Sequence, residues 1–179
     1  MTDEQILDML ADQSQAERGF RMLMEKYQER LYWHIRRMVV THEDANDVLQ
    51  NCLVKVFRGI SRFQGKSSLY TWLYRIATNE AITFLKKQKK HSAASFHDEA
   101  NTLENQLVAD PFFDEDEIQL KLRKALDELP EKQRIVFNMR YYDEMSYNDM
   151  SEVLGTSVGA LKASYHHAAK KIEHYLKNN

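Results

Sequence analysis

Five glycines and two prolines are all that punctuate 179 residues. Strand reversals depend on those two residue types, so a β-sandwich or barrel is nearly excluded. What remains is an all-α chain with few tight turns. At roughly 150 residues per domain, the length allows one domain or two small ones. The hydrophobic class makes up 43% and charged residues 29%, enough apolar material for a folded core.

Helical spacing recurs along the chain. Ile6, Leu7 and Leu10 mark a short helix. Phe20, Leu23, Met24, Tyr27, Leu31, Ile35 and Met38 give a longer one with a single buried face. Thr41 is placed to cap a third, whose apolar face is Ala45, Val48, Leu49, Cys52, Val56 and Ile60. Residues Phe63 to Ser68 break the period and read as a loop. A long helix follows from about Leu69 to Lys90, with Leu69, Trp72, Leu73, Ile76 and Phe84 expected inside. Cys52 is the single cysteine. It reads as a small buried hydrophobe in a reducing compartment.

Charge is segregated. Residues 1–91 hold 15 Lys/Arg against 11 Asp/Glu, a balance of +4. Residues 92–117 hold no Lys/Arg and eight Asp/Glu, a balance of −8. Residues 118–179 hold 10 Lys/Arg against 8 Asp/Glu, a balance of +2. Two mildly basic blocks around an acidic strip point toward nucleic acid more than the net charge of −2 does. The expected organisation is two small helical domains, 1–91 and 114–179, on an acidic linker over 92–113 that contains Pro111. Asp114 and Glu117 give a helix-start signal, followed by Ile118, Leu122, Ala125 and Leu126 on one face; Leu129-Pro130 ends that helix and opens another.

The longest run free of charge, Val153 to Leu161, is nine residues. A bilayer-spanning helix needs ~20. Asp3, Glu4, Asp8 and Asp12 have the wrong sign for a signal peptide. A cytoplasmic protein is the expectation.

Ser146 to Asp149 is a second helix-start signal, with Tyr147, Met150, Val153 and Leu154 on one face. Gly155-Thr156-Ser157 is a short turn. Val158, Leu161, Tyr165, Ala168, Ile172 and Tyr175 then step by threes and fours. This resembles a DNA-binding helix-turn-helix, and it also fits an ordinary αα-corner with a solvated face. The outward side of the second helix carries Gly159, Ala160, Lys162, Ala163, His166, His167, Lys170 and Lys171. Small residues at its start suit deep seating in a major groove. His166 and His167 are adjacent, without cysteines or clustered carboxylates, so no metal site is expected.

In the first block, Thr71, Tyr74, Arg75, Thr78, Asn79, Ile82, Thr83 and Lys86 form a second stripe on the long helix, ending in Lys87, Lys89 and Lys90. Aromatic, amide, hydroxyl and cationic groups in a row suit single-stranded nucleic acid. A solvated helix face fits equally well.

Two strings carry a family resemblance. Ala45-Asn46-Asp47-Val48-Leu49-Gln50, with Phe63-Gln64-Gly65-Lys66-Ser67-Ser68-Leu69-Tyr70-Thr71-Trp72-Leu73-Tyr74-Arg75-Ile76-Ala77-Thr78-Asn79, resembles the second conserved region of bacterial RNA polymerase sigma factors. Leu129 to Arg134, Ser146-Tyr147 and Leu154 to Lys162 resemble the fourth. With nothing between them as long as the third region, the layout resembles the extracytoplasmic-function (ECF) group. The resemblance implies a specificity subunit without catalysis or cofactor. It implies docking on core RNA polymerase through Asp47, Gln50 and Asn51. It implies capture of the melted non-template −10 strand by Phe63, Gly65, Ser67, Ser68, Trp72, Arg75, Asn79, Thr83 and Lys86. The −35 duplex would be read by Gly159, Ala160, Lys162, Ala163, His166 and His167. Partners would be the core polymerase, promoter DNA and an anti-sigma factor able to hold the chain at the membrane.

Departures accompany the likeness. The family often has an acid where this chain has Asn51 and where it has Lys66. Arginines are usual at Ser164, His167 and Ala169. Fewer phosphate contacts lower affinity and flatten its salt dependence. The acidic linker, with Asp98, Glu99, Glu104, Asp110 and Asp114 to Glu117, would compete with nucleic acid or shield basic helices. The rival readings are a helix-turn-helix regulator acting without polymerase and a sigma-like regulator that does not initiate. A helical enzyme finds no paired carboxylates, metal-ligand spacing or phosphate loop to support it.

Overall fold

The computed structural model describes residues 1–94 and 117–178, where the regular structure is helical. The chain divides into two compact units, Met1–Glu104 and Asn105–Asn179.

In the first unit, α1 (Asp3–Ala11) opens on a reciprocal cap: the Gln5 N–H donates to Thr2 Oγ1, and the Thr2 N–H donates to Gln5 Oε1. It lies along α2 (Ala16–Arg36) at Gly19, where a Cβ would stand 3.0 Å from the Leu10 nitrogen. The missing side chain is what lets the two helices close. Tyr27 and Lys26 donate to the Asp3 carboxylate at 2.8 and 2.7 Å, fixing α1 further. Leu23, Tyr27, Leu31 and Ile35 are buried as their spacing requires, with Phe20 and Met24 half-buried beside them.

The α2 helix stops at Arg36, before Met38. The buried Arg36 guanidinium donates to the Val39 and Val40 carbonyls at 3.2 and 2.7 Å and closes a turn, in which Met38 is buried. Thr41 then caps α3 (His42–Gly59), its Oγ1 accepting from the Asp44 N–H at 3.0 Å. Ala45, Val48, Leu49, Cys52 and Val56 form the buried face, whereas Ile60 enters a single 3₁₀ turn, Ile60–Arg62, and is half-exposed.

The α4 helix (Leu69–Ala94) packs on α2 and α3. Its buried face differs from the sequence expectation. Leu69, Leu73, Ala77, Ala81 and Leu85 are inside, together with Thr71, Tyr74 and Thr78; Trp72, Ile76 and Phe84 are only half-buried. The cause is a polar contact from α2. Thr78 Oγ1 donates to the Tyr74 carbonyl at 2.6 Å and lies 2.8 Å from His34 Nε2. The one hydroxyl proton is spent on the carbonyl, so Thr78 accepts and His34 Nε2 carries the hydrogen. The His34 and Tyr74 rings meet at 4.9 Å. Helix α4 also runs through residues 92–94, expected as the start of the linker. The remainder of the expected linker, 95–113, and Asp114 to Asp116 lie outside the described residues.

The second unit contains α5 (Glu117–Asp127), α6 (Glu131–Tyr141), α7 (Tyr147–Leu154) and α8 (Val158–Asn178). Pro130 caps α6. Ala125, Leu126, Leu129, Phe137, Ala168 and Ile172 form a core, flanked by Leu122, Tyr165 and Tyr175. Ile118, expected on the inner face, is 72% exposed. It sits one turn before Leu122, where that packing begins. Ser146 caps α7, and Gly155 ends it at φ +63°, the left-handed conformation that glycine adopts without strain.

Cys52 is fully buried, and burial, then the Glu80 carboxylate, pushes its thiol up to about 12. The thiol therefore stays protonated at ordinary pH. Iodoacetamide at pH 8 is expected to leave Cys52 unmodified in the folded chain and to alkylate it after urea unfolding, read by mass spectrometry.

Candidate nucleic-acid interface

The loop between the 3₁₀ turn and α4 is built on an aromatic floor. Phe63 packs against Trp72 with ring centroids 5.4 Å apart. The indole also lies under Gly59, where a Cβ would stand 3.3 Å from its Cζ2. At the far end, the Thr71 N–H donates to Ser68 Oγ at 3.1 Å, capping α4, and the two hydroxyls are 2.8 Å apart. Gly65 reverses the chain at φ +66° with open space around its Cα. Both ends of the loop are thus pinned to the helical scaffold, while Gln64, Gly65 and Lys66 stand exposed.

Along α4 the loop continues into a stripe. Trp72, Arg75, Asn79, Thr83 and Lys86 follow at steps of three and four, which places them on one face. Trp72 and Arg75 are half-buried; Asn79, Thr83 and Lys86 are exposed. Thr71, Tyr74 and Thr78, which the sequence put on the outward stripe, are fully or almost fully buried and do not belong to it. They are spent on the His34 contact and on capping.

Asp47, Gln50 and Asn51 are exposed on α3. They are not alone. Val54 and Phe57 continue the outward face at 47% and 63% exposure, and Phe57 meets Phe20 edge-on at 5.1 Å. Sequence reasoning missed these two. Their signal was available: both are apolar, and both fall off the buried stripe of Ala45, Val48, Leu49, Cys52 and Val56. Polar groups beside a small apolar patch are what a protein interface needs.

In the second unit, Ser157 Oγ accepts from the Ala160 N–H at 3.3 Å and starts α8. Gly159, Ala160, Lys162, Ala163, His166 and His167 are all exposed on it, as their spacing requires, and Leu161, Ala168 and Ile172 are buried behind them. The outer face carries small residues first and cationic or imidazole groups further along. Among the described residues no cluster of His, Cys, Asp or Glu is placed to hold a metal, and no helix is long and apolar enough to cross a membrane.

Comparison with known proteins matches these two units to two family models: sigma-70 region 2 over residues 23–91, and sigma-70 region 4 over residues 119–172. The RNA polymerase sigma-H factor of Pseudomonas aeruginosa is 29% identical over 97% of this chain and 93% of its own. The ECF sigma factor SigW of Bacillus subtilis is 29% identical over 89% and 90%. The ECF sigma-E factor of Escherichia coli is 27% identical over 97% and 93%. Among solved structures, the sigma factor RpoE of Bartonella quintana, in complex with the anti-sigma factor NepR, shares the fold. Its TM-score is 0.71 at 21% identity, covering 89% of this chain and 98% of that one. CnrH, solved with the cytosolic domain of CnrY, gives 0.72 at 20% identity, covering 99% and 98%. The chain belongs to the ECF family of RNA polymerase sigma factors.

Replacing Ser68 with Ala removes the α4 cap. It is expected to cost about 1 kcal/mol of stability in urea denaturation, and Ser68→Asp is expected to restore most of it.

Proposed function

We propose the following division of labour for a factor that binds core RNA polymerase and directs promoter-specific transcription initiation. The outward face of α3 docks on the core enzyme through Asp47, Gln50 and Asn51, with Val54 and Phe57 adding apolar contact. The loop from Phe63 to Ser68 receives a base flipped from the melted non-template strand at the −10 element. Flipping costs a few kcal/mol, and a preformed pocket returns it. Trp72, Arg75, Asn79, Thr83 and Lys86 continue along the same strand by stacking, edge recognition and phosphate contact. The α8 helix enters the −35 major groove with Gly159, Ala160, Lys162, Ala163, His166 and His167 toward the bases and backbone.

The observation that carries this reading is the order of the two units. A chain-reversing loop pinned to an amino-acid stripe comes first and a helix-turn-helix second, each coinciding with a sigma-70 region. A regulator acting without polymerase leaves the first unit and the α3 face unused. The factor contributes binding energy and no bond chemistry; the polymerase performs the reaction. It works in the cytoplasm, on the nucleoid when active. An anti-sigma partner of the general kind bound to the Bartonella protein would hold it inactive and could tether it at the membrane. Lys66, where the family often has an acid, gives the −10 pocket a positive wall and a base preference of its own. The absence of arginine at Ser164, His167 and Ala169 makes −35 binding less salt-dependent than in relatives carrying them.

Run-off transcription with purified core polymerase, on promoters selected from a randomised library, tests the reading. Asn79→Ala is expected to lower open-complex formation about tenfold or more while leaving core binding unchanged. Lys162→Ala is expected to weaken promoter binding at every sequence and to reduce the salt slope by about one. Phe57→Ser is expected to weaken core binding without loss of melting temperature. Normal promoter use by both Asn79→Ala and Lys162→Ala contradicts the assignment of these positions.

A further inference from the structure

Tyr147, the first residue of α7, is a meeting point for two cations from different helices. The Arg140 guanidinium lies 5.2 Å from its ring centroid, and the Lys162 ammonium lies 5.7 Å away. The ring itself is held. It meets Tyr165 edge-on at 6.4 Å, and Tyr165 stacks on the core residue Phe137 at 5.5 Å with planes 11° apart. Arg140 is held as well, because its Nη1 donates to the Met145 carbonyl at 3.1 Å. Lys162 is exposed on α8 and forms no ion pair among the described residues. The contact that orients its ammonium is the face of an aromatic ring, whose quadrupole attracts a cation without neutralising it.

We propose that Tyr147 is a positioning residue for −35 recognition, its ring holding the Lys162 ammonium on the DNA side of α8 before DNA arrives. The inference rests on the reading of Lys162 given above. A free lysine loses rotamer freedom when it docks, and that loss weakens binding about two- to tenfold per side chain. A lysine already resting on a ring has lost part of that freedom in the unbound factor. An ion pair would order the side chain too, but it would cancel the charge that phosphate needs. The tyrosine hydroxyl plays no part in this, so phenylalanine serves equally.

The test uses full-length factor assembled with core polymerase on a library-selected promoter, with affinities measured at one salt concentration. Tyr147→Leu is expected to weaken promoter binding about two- to tenfold, and Tyr147→Phe to bind as the parent does. In a Lys162→Ala background, Tyr147→Leu is expected to have no further effect, a coupling that a merely structural role would not produce. If Tyr147→Leu weakens binding equally with and without Lys162, or if Tyr147→Phe is as weak as Tyr147→Leu, the proposal is overturned. Should Lys162→Ala itself bind normally, the −35 reading of Lys162 falls and the positioning role with it. A weak Lys162→Ala beside a normal Tyr147→Leu overturns the positioning role alone. A second readout needs no DNA, and its deciding arm uses the parent factor. The Lys162 Cε protons are expected to be ring-current shifted in the NMR spectrum of the parent factor and of Tyr147→Phe. Unshifted protons in the parent overturn the proposal.

Discussion

The hydrogen bond between His34 on α2 and Thr78 on α4 decides which way α4 faces. Both groups are buried, and leaving either unpaired would cost about 1–3 kcal/mol. Thr78 is committed twice, accepting from His34 and donating to the Tyr74 carbonyl. A modest rotation of α4 about its axis would break the contact and leave two buried polar groups without it. The helix is therefore locked with Asn79, Thr83 and Lys86 toward solvent and Leu73, Ala77 and Ala81 inside. Since the loop from Phe63 to Ser68 is pinned to α4 through Trp72 and Thr71, the lock fixes loop and stripe together. A strand-reading surface needs that registry, because successive bases meet successive side chains only if the row is not free to turn.

Much of the fold was legible in the sequence because it is written in local signals. Thr41, Ser146 and Gly155 each perform the capping role their residue type and position indicate. The outward face of α8 follows from the three-and-four stepping of Val158, Leu161, Tyr165, Ala168 and Ile172. The rotation of α4 was not legible. Thr71, Tyr74 and Thr78 look like members of a polar outer stripe, but Thr71 is taken up by the cap contact with Ser68, and Tyr74 and Thr78 meet His34 on α2, forty-four residues before Thr78. Trp72 and Phe84 are the largest apolar groups nearby, yet they are half-exposed because small alanines occupy the close contact. Ile118 and Met38 differ for another reason: the apolar spacing starts before the packing of α5 begins and runs on past the end of α2, although Met38 is still buried in the turn that follows. Val54 and Phe57 were hidden because an apolar residue off the buried stripe carries no meaning until its exposure is known.

The two units present their proposed binding groups differently. In the first, the proposed row is split between a loop and a helix, with aromatic packing beneath the loop and a hydroxyl cap at its end. In the second, the presentation is a single helix face that opens on the small residues Gly159 and Ala160. The first arrangement suits a base that must leave its stack and enter a pocket. The second suits a closed duplex groove. The α3 face, with carboxylate and amide groups beside Val54 and Phe57, has the mixed chemistry of a protein contact rather than of a nucleic-acid one.

Strand-specific crosslinking tests this account most directly. A photoreactive residue is placed at position 67 in the loop or at position 163 on α8, and holoenzyme is assembled on one promoter. The account predicts that position 67 crosslinks to the non-template strand within the melted −10 region, and only after opening. It predicts that position 163 crosslinks to duplex DNA at the upstream −35 element, whether or not the DNA has melted. Crosslinks from both positions to the same stretch of duplex, or from neither in the presence of core polymerase, would contradict it.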